Sequence, residues 1–188
     1  SWEEILMLAK NRQLDIISAG QETEERRRYM YWSTPYLSLD TTIIVRKNIR
    51  GSLALDNMEG MTIGAPRGYA VGEFIRKKYP SLLIVDVVTP IDGIKKVSFG
   101  ELDAMVTEVP NALYVIDKEK ITNLRLAGVT DFQLNHGIGV RNDWPIFARI
   151  IEKTLASISI EEHQRINEKW VRLDSVHFYE TRTFWYIT

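Results

Sequence analysis

Two phrases of this chain repeat one arrangement: Arg12-Gln13-Leu14-Asp15-Ile16-Ile17 and Gly100-Glu101-Leu102-Asp103-Ala104-Met105-Val106 each send an acidic residue into an apolar strand directly after a helix-like stretch. A strand and a helix in immediate succession must bury their apolar sides against a common layer, which restricts the chain to an α/β architecture. Polar residues follow both phrases. After the first come Ser18-Ala19-Gly20-Gln21-Glu22-Thr23-Glu24-Glu25-Arg26 and then Trp32-Ser33-Thr34-Pro35-Tyr36; after the second comes Thr107-Glu108-Val109-Pro110-Asn111. Two such floors facing each other form a clamp whose polar groups lie at strand ends, where open α/β sheets hold ligands.

Composition narrows what the clamp serves. The 24 Lys and Arg against 25 Asp and Glu leave a net charge near zero, so the chain as a whole exerts no broad pull on nucleic acid or an anionic membrane. No cysteine is present, which excludes disulfides and thiol catalysis and agrees with an oxidising compartment. The three His are scattered, and neither a zinc site nor a cofactor site is expected. No apolar run reaches membrane-spanning length, and the abrupt helical entry at Ser1 reads as a truncation boundary.

Periodicity supplies the element order. Ser1 and Glu4 fit a capping box, and Trp2, Ile5, Leu6 and Ala9 recur at helical spacing, predicting a helix to about Asn11. Leu14 to Ala19 and the β-branched run Thr41-Thr42-Ile43-Ile44-Val45 read as strands. Gly51 to Gly60 is turn-rich. Met61 to Gly64 is strand-like, Pro66-Arg67-Gly68 a loop, and Ala70 to Tyr79 a helix ended by Pro80. Leu82 to Val88, Ile91 to Phe99, Leu102 to Val106 and Asn111 to Asp117 continue as strand, helix, strand, helix, which argues for a mostly parallel sheet. Phe132 to Val140 returns as a strand, and Pro145 to Ser157 and Ile160 to Val171 are closing helices. Ile146, Phe147, Ile150, Ile151 and Leu155 are expected to give the first of these its buried face. The pattern divides the chain into a first lobe over 1–45, a second over 46–125, a return to the first over 126–175, and an aromatic, Thr-rich tail over 176–188. Crossings fall near Ile43 to Val45 and Leu126 to Leu134.

Three groups of residues carry chemistry. Arg26 follows Thr23 by three residues and Gly20 by six; its planar guanidinium suits a carboxylate, with the backbone N–H groups of Gly20 and Glu22 and the Thr23 hydroxyl as further donors. The plain reading of Glu24 to Arg28 is a solvated helix start with ordinary charge pairs. Arg67-Gly68-Tyr69-Ala70 stands between strand and helix, where free N–H groups favour an anionic atom; the plain reading is a tight turn with φ > 0 at Gly68. Glu108 ends a strand before Pro110 and suits an ammonium group, or else stabilises the following helix through its dipole. The aromatics Tyr29, Tyr31, Trp32 and Tyr36 fit ligand stacking or, more commonly, packing.

Taken together, these residues resemble the bacterial extracellular solute-binding proteins of family 3, the polar amino-acid binding group with the two-lobed type II periplasmic binding protein (Venus flytrap) fold. The resemblance rests on Leu14-Asp15 through Thr23-Glu24-Glu25-Arg26 to Ser33-Thr34-Pro35-Tyr36, on Leu55 through Gly60 with Met61 to Tyr69, and on Gly100-Glu101-Leu102-Asp103-Ala104 through Asn111. It rests also on Gly139-Val140-Arg141-Asn142-Asp143-Trp144 and on Ile166-Asn167-Glu168-Lys169-Trp170. It implies that Arg26 binds a ligand α-carboxylate and Glu108 its amine, with Gly20, Glu22, Thr23, Tyr69 and Ala70 completing the site and no catalytic residue. Glu22 stands where a small or hydroxyl residue is usual, and Glu108 where aspartate is. The family normally begins with a strand, a helix and a second strand ahead of the Trp2 helix, so the first part of lobe 1 is expected to be missing, leaving a sheet edge open to a second copy in a homodimer. The stretch Val140 to Val171 resembles the branch that serves as sensor regions of membrane histidine kinases. The implied function is an extracytoplasmic sensor that closes on a small zwitterion, an amino acid, linked through the tail to a membrane output domain in the same chain. The rivals are a periplasmic receptor of an amino-acid transporter and a dehydratase-like enzyme using Glu108 or Glu22 as general acid.

Overall fold

The structure, a computed structural model, describes residues 1–170. The tail over 176–188 lies outside the described residues. The chain begins with the expected capping box: the Ser1 hydroxyl accepts from the Glu4 N–H, and helix α1 runs over Trp2–Lys10. Strand β1 (Ile16–Gln21) follows, then a single 3-10 turn at Arg26–Arg28, a short strand β2 (Met30–Trp32) and the long strand β3 (Leu37–Arg46). Next come β4 (Thr62–Pro66), α2 (Ala70–Lys78), β5 (Leu83–Val87), α3 (Pro90–Phe99), β6 (Ala104–Glu108) and α4 (Val109–Lys118). The longest strand, β7 (Leu124–Arg141), leads into α5 (Pro145–Ala156). Residues 1–157 form one compact unit. The remaining described residues belong to a separate unit containing α6 (Ile160–Trp170), whose first turn is capped by the Ser159 hydroxyl accepting from the Glu162 N–H.

Among the described residues, all seven strands join one sheet in the order β1-β7-β3-β6-β4-β5, with β2 also on β7. The mostly parallel sheet expected from the βα alternation is corrected: only β4 with β5 and β4 with β6 are parallel, while β1, β2 and β3 pair antiparallel with β7, and β3 pairs antiparallel with β6. The alternation in the sequence governs only the block from β4 to β6. The rest is organised by β3 and β7, whose two expected crossing stretches are hydrogen-bonded to each other, Ile43 opposite Gly128 and Leu39 opposite Leu134. Register shifts between Asp40 and Thr42 and between Ile43 and Ile44 are bulges, which bend and twist a strand where they occur.

The β-branched run of β3 explains how both faces of the sheet are filled. Ile43 and Val45 point into a cluster with Leu55, Met58, Ile63, Val71 and Ile75 under α2. Ile44, one residue out of phase, points to the other face with Val87, Ile94, Val97 and Met105 under α3 and α4. Each full burial of such a side chain is worth roughly 1.5–3 kcal/mol. A third cluster of Ala9, Ile17 and Met30, with Trp2, Leu6 and Trp32 beside it, seats α1 on β1. One expectation fails here: α5 has no buried residue, and Ile146 and Ile150 of its apolar stripe are 67% and 53% exposed. Helical period reveals which residues share a side; it does not supply the layer that would cover them.

Candidate functional site

Gly68 is the point where distant parts of the chain meet. It takes φ +73°, a value glycine adopts without a Cβ penalty, in the loop between β4 and α2. Its carbonyl accepts two hydrogen bonds, from Trp2 Nε1 at 2.9 Å and from Arg26 Nη2 at 2.7 Å. Tyr69 then forms the N-cap position of α2 and Ala70 its first residue. The Trp2 indole stands edge-on to Tyr69, with centroids 6.1 Å apart, and under the Arg26 guanidinium, 5.5 Å from ring centre to Cζ. Gly20 makes room for this: a Cβ there would lie 2.8 Å from the Trp32 ring and 3.2 Å from the Trp2 ring.

Arg26 is only 2% exposed. The chain doubles back after β1 through the 3-10 turn, where Thr23 Oγ1 accepts from the Arg26 N–H at 3.4 Å, and this return carries the guanidinium under β1. There Nη1 donates to the Gln21 carbonyl at 2.6 Å, and Nη2 donates to Gly68 and, at 3.3 Å, to Glu73 Oε1 on α2. Nε is buried and has no acceptor. Burial pulls the guanidinium below its ordinary value and Glu73 pulls it back; the group remains charged. Glu22, by contrast, is exposed and its carboxylate is taken by Arg27. Between the segment from Gln21 to Arg28 and helix α2 lies a cleft of about 570 Å³, with Glu22, Thr23, Ala70, Glu73 and Phe74 on its walls and Phe132 at its back. That is the size range of small-molecule sites.

Glu108 ends β6 as the N-cap residue of α4 but its side chain makes no capping bond. It is buried, and Oε2 accepts from Thr107 Oγ1 at 2.7 Å and Asn111 Nδ2 at 3.4 Å. Its charge reaches Tyr69, whose hydroxyl is pushed up by burial first and by Glu108 second. It also reaches His136, whose Nδ1 is buried without a partner and whose pKa burial lowers, Glu108 opposing. A histidine depressed in the folded state contributes stability that is fully present above its unfolded value of about 6.5 and is lost as pH falls through its folded value. Urea denaturation at pH 7, 6 and 5 is therefore expected to show falling stability, with His136→Asn flattening the slope; identical slopes in the two proteins would contradict the assignment.

Of the residues singled out from the sequence, Gly20, Arg26 and Tyr69 converge around Trp2 and Gly68, Glu22, Thr23 and Ala70 line the cleft, and Glu108 acts on Tyr69 through its charge. Sequence reasoning missed Trp2, Glu73 and His136, and it read the Arg67-Gly68-Tyr69-Ala70 loop as a place for an anionic atom or a tight turn without seeing the Gly68 carbonyl as an acceptor. Trp2 was legible only as part of a helix stripe; its place at the first helical residue was the available signal. Among the described residues no group of three or more His, Cys, Asp or Glu is arranged to hold a metal ion, and no helix is long and apolar enough to cross a membrane.

Against this geometry stand the comparisons with known proteins. The model of the bacterial extracellular solute-binding proteins, family 3, matches residues 1–173. The chain is 24% identical over 169 residues to the virulence sensor protein BvgS of Bordetella pertussis and 26% identical over 165 residues to the sensor protein EvgS of Escherichia coli K12. These alignments cover 89% and 86% of this chain, and the chain spans 14% of the length of each relative. A solved histidine kinase sensor domain with similarity to periplasmic binding proteins superposes with a TM-score of 0.82 at 20% identity, over 91% of this chain and 75% of that one. The two-lobed periplasmic-binding-protein fold expected from the sequence is thus the fold of this chain. With a family match running from the capping box of α1 to beyond the end of α6, the chain belongs to the bacterial extracellular solute-binding proteins, family 3.

Proposed function

We propose that this domain is an extracytoplasmic sensor that closes on a small zwitterion, an amino acid, and passes that closure to a membrane-linked histidine kinase or similar output domain of the same polypeptide. One observation carries the reading: the Arg26 guanidinium lies over the Trp2 ring, Trp2 stands edge-on to Tyr69, and the Glu108 carboxylate is near enough to Tyr69 for its charge to add to burial in raising the tyrosine hydroxyl's pKa, so groups of opposite sign act on the two members of the aromatic pair. That order of cation, aromatic surface and anion complements a carboxylate, a side chain and an ammonium group. The likeness to two sensor proteins supports the signalling role; β1 ends the sheet among the described residues, an edge that a second copy in a homodimer would suit. The domain binds without turnover: Glu108 is held by Thr107 and Asn111 rather than set beside a second acid or base at hydrogen-bonding distance. Only the difference in ligand affinity between open and closed forms drives the signal.

A thermal-shift screen of the amino acids, related amines and small carboxylates tests the reading, because a ligand of the native state raises apparent stability by mass action. A hit among zwitterions is expected, and hits confined to simple carboxylates would overturn it. Glu108→Gln keeps the shape and removes the charge; it is expected to weaken the hit by about 1.5–3 kcal/mol, the worth of a hydrogen bond to a charged group. Calorimetric titration measures this, and equal affinities would remove Glu108 from the site.

A further inference from the structure

We infer that Glu73 is a positioning and specificity residue of this site: from α2 its carboxylate occupies the place at Arg26 that a ligand carboxylate takes, and so adds to the Gly68 bonds in fastening the closed form when no ligand is bound. The inference rests on the reading of Arg26 as the ligand's carboxylate anchor. Glu73 lines the cleft from the first turn of α2, and Arg26, buried in the segment after β1, lies behind the opposite wall, so their ion pair joins the two elements that flank the cleft. The guanidinium makes two kinds of contact. Its bonds to the Gln21 and Gly68 carbonyls, at 2.6 and 2.7 Å, are short; the first fixes the fork to its own segment, and the second, like the Glu73 pair, joins that segment to the β4–α2 side. The Glu73 contact, at 3.3 Å, is longer than the roughly 2.7–2.9 Å of a well-formed charge-assisted bond. Glu73 is itself 43% exposed, free to withdraw into solvent.

The unsatisfied donor indicates what displaces it. Nε–H and one Nη2–H point along the same edge of the guanidinium and match the two oxygens of a single carboxylate. Glu73 reaches Nη2 only, and Nε stays buried without an acceptor. A ligand carboxylate bridging both nitrogens satisfies the orphan and gains the bidentate geometry that Glu73 lacks. Two consequences follow. A closed form held by Glu73 competes with ligand, so apparent affinity is reduced by the fraction of molecules latched. The displaced Glu73 carboxylate stays on the wall of the cleft, beside Glu22 and Glu24, and selects against ligands that carry a second acid.

The 188-residue chain has no cysteine, so Lys153→Cys on α5 and Glu101→Cys after α3 provide two defined sites for donor and acceptor dyes. Without ligand, the dye pair is expected to report a closed form that Glu73→Gln opens, and L-glutamine or L-arginine is expected to bind the Glu73→Gln protein about 5- to 30-fold more tightly than the parent, with L-glutamate gaining most. Unchanged energy transfer in the ligand-free protein overturns the latch whatever the affinities. Arg26→Lys, run in parallel, separates the two ideas. If it abolishes binding while Glu73→Gln changes nothing, the site stands and the latch falls; if it leaves binding intact, the anchor reading falls and the ligand-free energy transfer still decides whether Glu73 fastens the cleft.

Discussion

Arg26→Ala is expected to weaken binding of the amino-acid hit by about 2 to 5 kcal/mol, the usual cost of truncating one partner of a buried, hydrogen-bonded charge pair. It is also the substitution with the widest structural consequences in the site. Removing the guanidinium takes one donor from the Gln21 carbonyl and one from the Gly68 carbonyl, which keeps Trp2 Nε1, and takes the cation off the Trp2 ring. Each lost hydrogen bond to this charged donor is worth roughly 1.5 to 3 kcal/mol, so a fall in fold stability of about 2 to 5 kcal/mol accompanies the loss of affinity. The two effects separate experimentally: urea denaturation gives the first, and calorimetric titration at a temperature where the variant retains its native circular dichroism gives the second. A variant that is destabilised but binds as before would leave Arg26 a cross-cleft strut and remove it from ligand recognition.

The second large effect is expected away from the ligand, at Gly128→Ala. Gly128 lies in β7 opposite Ile43, and a Cβ there would sit 2.0 Å from the Leu53 carbonyl oxygen. Leu53 cannot simply retreat, because its N–H donates to the Ala127 carbonyl at 2.9 Å and its side chain packs beside the cluster under α2. Backbone must move against backbone, at a cost of about 2 to 4 kcal/mol, the range of overpacked cores and its upper tail. Because Gly128 sits between the register shifts of the β3–β7 pair, where the sheet bends, the same change is expected to alter cleft closure as well. Denaturant melts of Gly128→Ala against Gly139→Ala test this; in the latter a Cβ would meet only side-chain atoms of Trp32 and Met30, at 3.0 to 3.1 Å, and should cost less. Equal losses would mean that the strand contact with Leu53 is soft.

Much of the fold follows from residues near one another in the chain. The Ser1–Glu4 box starts α1, the run Ala70 to Lys78 makes α2, and Thr41 to Val45 makes the buried part of β3, each through contacts a few residues long. The first part of β7 was not legible, since Leu124 to Asp131 has no sustained alternation of its own; its order comes from β3, whose Ile43 lies opposite Gly128 far along the chain. The direction of the strands was misread for the same reason. A βα alternation fixes which elements exist, and the long antiparallel pairing of β3 with β7 overrides the parallel arrangement it implies.

The site divides in the same way. Sequence spacing alone put Gly20, Thr23 and Arg26 at one strand end and Glu108 at another, because a strand, a turn and a helix start are determined within a few residues. What Arg26 touches was decided elsewhere: Gly68 and Glu73 lie 42 and 47 residues away, and Trp2 reaches Gly68 across 66. Hydrogen bonds and ion pairs of this kind exist only within about 3 to 4 Å, so they depend on how whole elements pack and not on which residues are adjacent in the chain. Local sequence therefore determined the helices, the strands and the charged groups at their ends. Only the tertiary structure decided that a buried guanidinium would be held by two carbonyls and a carboxylate with one donor left open, because only packing sets which acceptors come within a hydrogen bond's reach and which groups lose water.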